Sequence, residues 1–308
     1  MVINEICIFM HITRFECVRR FLLDHFHHLI VESLFLNTFG REIDWVNPKD
    51  INEKIQWIIR YGDTSVWPLC SDKYRVREFV AERGLGHLLV KLYGVWDDAK
   101  KINFESLPDK FVLKCNHDSG SCYIVDKKAG YDSKKIVEDL NQHLKIKYGY
   151  VHGEMWYNKI KPLVIAEEFL NQDSDSWTTS LVDYKIWCFD GKPYSIWTCY
   201  SRSSEGTYVN LYDLDWNVHP EVSVFTEHYK DGKGMVPKPD NLDEMLDAAS
   251  ILSKGFPEVR TDFYSVAGKL YFGELTFASL CGLMDFFTKD YLEELGDQVI
   301  LPPQKGWF

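Results

Sequence analysis

Apolar positions recur at helical spacing in the first part of the chain and at strand spacing further on. The segment RFLLDHFHHLIVESLFL (20–36) is apolar at three- and four-residue intervals, so residues 15–40 read as one or two helices ending near Gly40. Such a helix is either packed in the core or a surface for a membrane or partner. Pro48 and Asp50 open a second helix, DINEKIQWIIRYG, with Ile51, Ile55, Ile58 and Ile59 on one face. Ser71–Asp72 cap a third, KYRVREFVAERG, which stops at Gly84 or Gly86. Near residue 107 the texture changes. LPDKFVLKCNHDSGSCYIV reads as strand, polar loop, strand, and Asp132–Ser133 then cap a helix. PLVIAEEFL is a buried strand. LVDYKIWCF and KPYSIWTCY flank Asp190–Gly191, a strong hairpin signal. NLDEMLDAASILSKGF is amphipathic, and EVRTDFYSV–AG–KLYFGELTF is a second hairpin. Helices and antiparallel strands in blocks predict an α+β fold.

The last hairpin carries candidate metal chemistry. Arg260, Asp262 and Tyr264 share one face of their strand, and Leu270, Phe272, Glu274 and Thr276 share a face of its partner. A three-residue turn, Val266–Ala267–Gly268, pairs Ser265 with Lys269 and puts Arg260 opposite Glu274. Asp262 is then diagonal to Glu274, about 7–8 Å away, within reach of one shared cation. Magnesium takes one or two carboxylates plus substrate phosphates. The other reading is a pair of rim charges matched to Arg260.

Upstream, Lys114 ends a strand before the loop Asn116–His117–Asp118–Ser119–Gly120–Ser121. Its backbone N–H groups and the lysine suit phosphate, although neither a Walker A nor a G-x-G-x-x-G spacing is present. An ordinary hairpin loop is the alternative, and for His117 loop packing competes with phosphate contact. The Glu167–Glu168 pair ends its strand either at the rim of the core or at a nucleotide cleft. The His25-x-His27-His28 cluster reads as helix surface.

Net charge is −11, which argues against a phosphate-backbone partner such as nucleic acid. The eight cysteines include no C-x-x-C pair, so zinc-ribbon and thioredoxin-like chemistry is unsupported and a reducing cytoplasm is expected. No run reaches the length of a membrane span, and the first residues do not resemble a signal peptide.

The ordered set INEKIQW, SDKYRVREFV, LPDKFVLKCNHDSG, IKPLVIAEEFL, DYKIWCFDGKPYSI, NLYDLDWN and VRTDFYSVAGKLYFGELTF resembles the ATP-grasp superfamily. Within it the chain resembles the TupA-like family of polysaccharide and teichuronopeptide biosynthesis. The resemblance implies two α+β subdomains clamping ATP, behind a mainly helical N-terminal region. The divisions expected are 1–70, 71–170 with the phosphate lid, and 171–308 with the magnesium site. It implies ATP and Mg²⁺, with Asp262 and Glu274 as metal ligands. Lys114 and Lys73 would contact phosphates, under a lid formed by 116–121. Glu167, Glu168, Phe169 and Leu170 would form the adenine hinge. Asp183 or Lys185 would lie near ribose or phosphate, and Arg260 would stabilise the acyl-phosphate charge. The implied activity is a carboxylate–amine ligase acting through an acyl phosphate on a sugar acid or amino acid. Its substrates would be small or glycan-linked, with polysaccharide-assembly proteins as partners. A phosphotransferase and a catalytically silent nucleotide-binding subunit are the alternatives. Two positions depart from the family pattern. Asp118 replaces a glycine, and Ala278-Ser279-Leu280-Cys281-Gly282 replaces a Pro-Gly-Ser-Gly-like turn.

Overall fold

The computed structural model describes residues 16–171 and 178–304. Helix α1 (Glu16–Phe39) bends at Phe26, where φ −132 and ψ 27 leave the helical region. Its Leu23, Ile30, Val31 and Phe35 are buried, whereas Phe21, Phe26, Leu29 and Leu36 are exposed. No helix among the described residues is long and apolar enough to cross a membrane.

Helix α2 (Ile51–Tyr61) starts on a capping box in which Asp50 accepts from Glu53 N and Glu53 returns to the Asp50 backbone. Its inner face carries Ile51, Ile55 and Ile58, but also the buried amides of Asn52 and Gln56. Helices α3 (Trp67–Ser71) and α4 (Val76–Glu82) follow. The third helix thus begins later than expected. Asp72 directs its carboxylate to the N–H groups of Tyr74 and Arg75 and to the Asn116 amide, forming a turn first.

A four-stranded antiparallel sheet comes next, built from β1 (Leu92–Trp96), β2 (Lys110–Cys115), β3 (Tyr123–Asp126) and β4 (Val164–Glu168) in the order β1-β4-β2-β3. Helix α5 (Ser133–His143), capped by Asp132, packs Ile136 and Leu140 onto Phe111, Leu113 and Cys115. A short helix, α6 (Gly149–His152), precedes β4.

The larger sheet has six strands: β5 (Asp183–Phe189), β6 (Lys192–Ser203), β7 (Gly206–Tyr212), β8 (Tyr229–Asp231), β9 (Val259–Val266) and β10 (Lys269–Thr276). Their order is β10-β9-β5-β6-β7-β8, antiparallel except for β7 with β8. Asp190 and Gly191 turn β5 into β6 with φ +47 and +82, the backbone that a two-residue hairpin demands. Helix α7 (Leu242–Ser253) packs against β5, β6 and β9, and α8 (Lys289–Gln298) packs against α2 and ties Tyr291 to Ser195 of β6.

Two cores result. Residues from Ala99 to Ala166 fill the core of the small sheet. The large-sheet core takes in α2, α3 and α4 as well, and Trp156.

The β9–β10 hairpin differs from expectation in its register. Lys269 pairs with Val266, so the turn has two residues, Ala267 and Gly268, at φ +50 and +74. A bulge at Gly273 then shifts the ladder. Phe272 pairs with Phe263, Glu274 with Asp262, and Thr276 with Arg260. Asp262 and Glu274 are therefore directly opposite, not diagonal, and Phe272 lies against Phe263. Gly273 allows this because a Cβ there would stand 2.9 Å from the Asp262 carbonyl oxygen. Gly273→Ala is expected to cost about 1–3 kcal/mol, the usual penalty of overpacking, as a lowered urea midpoint. An unchanged midpoint would show that the bulge yields freely.

Candidate functional site

A cleft of about 1180 Å³ is lined by side chains from both sheets and from α1. Strand alternation brings Arg260 and Asp262 of β9 and Lys185 of β5 to its floor. Lys185 pairs directly with Asp262 across the ladder. Arg260 Nε donates to Asp262 Oδ1 at 2.7 Å and its Nη2 to Asp262 Oδ2 at 2.8 Å, a two-point contact made within one strand. Lys185 Nζ donates to the same Oδ2. Burial alone would raise the Asp262 carboxyl. The charges of Arg260 and Lys185 and their hydrogen bonds overcome it and hold the carboxyl down at about 2. Arg260 also reaches Thr276 Oγ1 at 3.0 Å, Ser279 Oγ at 3.0 Å and Glu274 Oε1 at 3.5 Å. Its guanidinium lies 5.9 Å from the Trp187 ring centre, and Trp197, stacked on Phe286, lines the cleft nearby.

Glu274 is the open member of this set, with its side chain 44% exposed against 2% for Asp262. Among the described residues no group of three or more His, Cys, Asp or Glu side chains forms a metal cluster. Two facing carboxylates with the Thr276 hydroxyl beside them offer oxygen only. That donor set fits a hard cation completing its shell with substrate phosphate oxygens. Asp262 Oδ1 accepts one bond, from Arg260, and keeps a lone pair for a cation, whereas Oδ2 is taken by Arg260 and Lys185.

The facing wall holds Lys73 and Lys114. Lys114 Nζ binds Glu167 Oε2 at 2.5 Å, and Arg77 stands 3.5 Å from the other oxygen. Asp183 is paired with Arg202. Lys73 differs, because its ammonium holds the Asp118 carbonyl at 2.5 Å. Burial pushes that ammonium below the usual lysine range, against the pull of the Glu274 charge. A polyphosphate would supply the anion that Lys73 lacks.

The 116–121 loop divides by role. Ser119, Gly120 and Ser121 line the cleft, and Gly120 takes φ +99. Asn116 and His117 do not line it. The Asn116 amide is a buried strut to Asp72, Lys161 and Leu163, and His117 Nε2 meets the Ile146 carbonyl at 3.2 Å. Packing, not phosphate contact, is the role their geometry gives them. Asp118 turns its carboxylate inward to Ser121 Oγ at 2.5 Å and His143 Nδ1 at 2.6 Å, so the glycine replacement there does not present a charge to phosphate. Glu167 faces the cleft, but Glu168, Phe169 and Leu170 are not part of its lining. Phe169 instead lies under Lys110 Nζ, 4.0 Å from its ring centre.

One cleft residue carries no sequence signal. Glu154 follows Gly153 after α6, and burial, then the Glu274 charge, push its carboxyl up to about 8. An unfolded glutamate ionises near 4.5, so the folded protein keeps a proton that the unfolded chain releases. Stability of the ligand- and metal-free protein then falls as pH rises from about 4.5 to about 8. Glu154→Gln removes this loss. Its melting temperature is expected to match wild type near pH 4.5 and to exceed it increasingly up to pH 8. A constant difference across that range would contradict the assignment.

No curated protein matches the chain. Among solved structures it is similar to the D-alanine–D-alanine ligase of Bacillus anthracis complexed with ATP, at 16% identity and TM-score 0.43, over 75% of this chain and 65% of that one. It is also similar to an L-amino acid ligase from Bacillus licheniformis, at 13% identity and TM-score 0.42, over 80% and 54%. A third is the phosphoribosylamine–glycine ligase of Thermotoga maritima, at 12% and 0.41, over 78% and 57%. The chain thus spans just under two thirds of the first of these and less of the others. The family model described as TupA-like ATPgrasp matches residues 53–300, which include both sheets and every side chain of the Arg260–Asp262–Glu274 floor. The chain belongs to the TupA-like ATP-grasp family.

Proposed function

We propose that the protein is an ATP-dependent carboxylate–amine ligase that forms an amide on a sugar acid or an amino acid during surface polysaccharide assembly in the cytoplasm. The observation that carries this reading is the facing arrangement of Asp262 and Glu274 beneath Arg260, in one cleft with Lys73, Lys114 and Lys185. A carboxylate is a poor electrophile. Transfer of the γ-phosphoryl group to its oxygen breaks the bond to ADP and leaves an acyl phosphate. An amine then attacks the carbonyl carbon, loses a proton, and displaces phosphate.

Such chemistry needs charge neutralisation and positioning more than a protein nucleophile. Lys73 and Lys114 meet the phosphates from one wall, and Lys185 from the floor. Asp262 and Glu274 would hold magnesium, which supplies Lewis-acid charge to the phosphoryl oxygens. Arg260, its guanidinium fixed by Asp262 and Ser279, stabilises the oxyanion of the tetrahedral stage. Lys114, Lys185 and Arg202 are matched by Glu167, Asp262 and Asp183. ATP binding therefore exchanges partners within a set of charges close to balance.

The test is ADP release from ATP and Mg²⁺ with pools of uronic acids and amino acids. Release that requires both a carboxylate and an amine is the expected result. Release with a single acceptor would replace ligation with phosphotransfer. ATP binding with no release would make the protein a silent nucleotide-binding subunit, and failure to bind ATP would end the reading.

A further inference from the structure

Past Arg260 the cleft changes character. Leu23, Ile30, Val31 and Leu34 of α1 line that end, together with Leu280 and Leu283 from the segment after β10. The wall is built into the fold. His27 Nε2 lies 2.7 Å from the Gly153 carbonyl, and the Tyr150 hydroxyl donates to Asp24 at 2.7 Å. Val31 packs with Phe35, Ile43 and Leu283.

Leu280 is the most informative member. It sits at φ +48, a conformation that favours glycine, and remains 51% exposed between buried Ser279 and Cys281. Its neighbours cannot relax. Ser279 is bound to Arg260, and the Cys281 carbonyl is held by Gln56. A branched apolar side chain kept on strained backbone at a cleft is the kind of strain that accompanies function. Glu154 stands at the polar border of this end, near enough to Glu274, Lys73 and Arg260 to feel their charges.

We propose that this end of the cleft is the side-chain subsite for the amine substrate, an α-amino acid with a large aliphatic or aromatic side chain whose amino group faces Glu154. The proposal rests on the ligase reading above. A carboxylate or polyhydroxyl side chain would be stripped of water here without partners, which is costly. A small side chain would leave the leucine wall unfilled, and each missing methylene in such a pocket costs about tenfold or more in discrimination.

The experiment is a calorimetric titration of the intact protein with Mg²⁺ and a non-hydrolysable ATP analogue, then with L-leucine, L-phenylalanine, L-alanine, glycine and L-glutamate in turn. Leucine and phenylalanine are expected to bind at least tenfold more tightly than alanine or glycine, and glutamate least. Leu280→Gly is expected to weaken leucine and phenylalanine at least fivefold. Glycine suits φ +48, and affinity for the analogue serves as the folding control. Equal affinities, a preference for glutamate, an unchanged leucine affinity in Leu280→Gly, or analogue binding with no amino acid binding would each overturn the subsite alone. Leucine-selective binding without analogue binding would sink the ligase reading and leave the subsite standing. If neither binds, both fall.

Discussion

Glu274→Gln is expected to lower Mg²⁺-dependent ADP release by about two to three orders of magnitude, and Asp262→Asn combined with it to abolish turnover. Loss of a metal's charge stabilisation is worth several kcal/mol at the transition state, and each 1.36 kcal/mol is about tenfold in rate. The two positions differ in what else they disturb. Glu274 is nearly half exposed and reaches Arg260 only at 3.5 Å, so its neutral form leaves the fold intact. Asp262 is buried beneath two cations, and its neutral form leaves Lys185 and Arg260 without their counter-charge. Glu274→Gln is therefore the clean test. It should unfold like wild type and still bind ATP, with turnover lost. Near-normal turnover in Glu274→Gln would remove Glu274 from the metal site, and turnover in the double variant would refute the site as a whole.

Arg260→Met should fail more broadly. It removes both bonds to Asp262 and those to Thr276 and Ser279, leaving a buried carboxylate with Lys185 alone. Breaking a buried pair by removing one partner costs about 3–5 kcal/mol of stability, seen as a lowered urea midpoint. Arg260→Lys separates structure from chemistry. A lysine keeps the charge but cannot make the two-point contact or span to Ser279, so stability should recover in part while turnover stays at least a hundredfold down. Full turnover in Arg260→Lys would reduce Arg260 to a structural counter-ion.

What the sequence made legible was local. The helix start at Asp50, the Asp190–Gly191 turn and the Asp132 cap are each written in nearby residues, and each stands as read. Arg260 and Asp262 are legible because strand alternation puts them on one face, and Glu274 because it lies on the partner strand of the same hairpin. Their register is not. The sequence predicts a three-residue turn; the turn has two residues, and the bulge at Gly273 restores the phase that the shorter turn shifts. Asn116 and His117 look like phosphate donors by type, yet Asp72, Lys161 and Ile146 claim them from more than 25 positions away. Such contacts are set by how β2 sits against the segments beside it. Glu154 was missed for the same reason. It follows a four-residue helix, and only the docking of α1 on Gly153 and the approach of β10 give it a place in the cleft.

The indoles of Trp187 and Trp197 have a practical consequence. Trp187 lies beneath the guanidinium of Arg260, and Trp197 lines the same cleft. Indole emission responds to nearby charge, so a polyphosphate or an acyl phosphate drawn to Arg260 changes the field across both rings. The protein carries ten tryptophans, and Trp187→Phe and Trp197→Phe would isolate the two that report. Occupancy of the cleft can then be followed by the protein's own light, with no label and before any substrate is known.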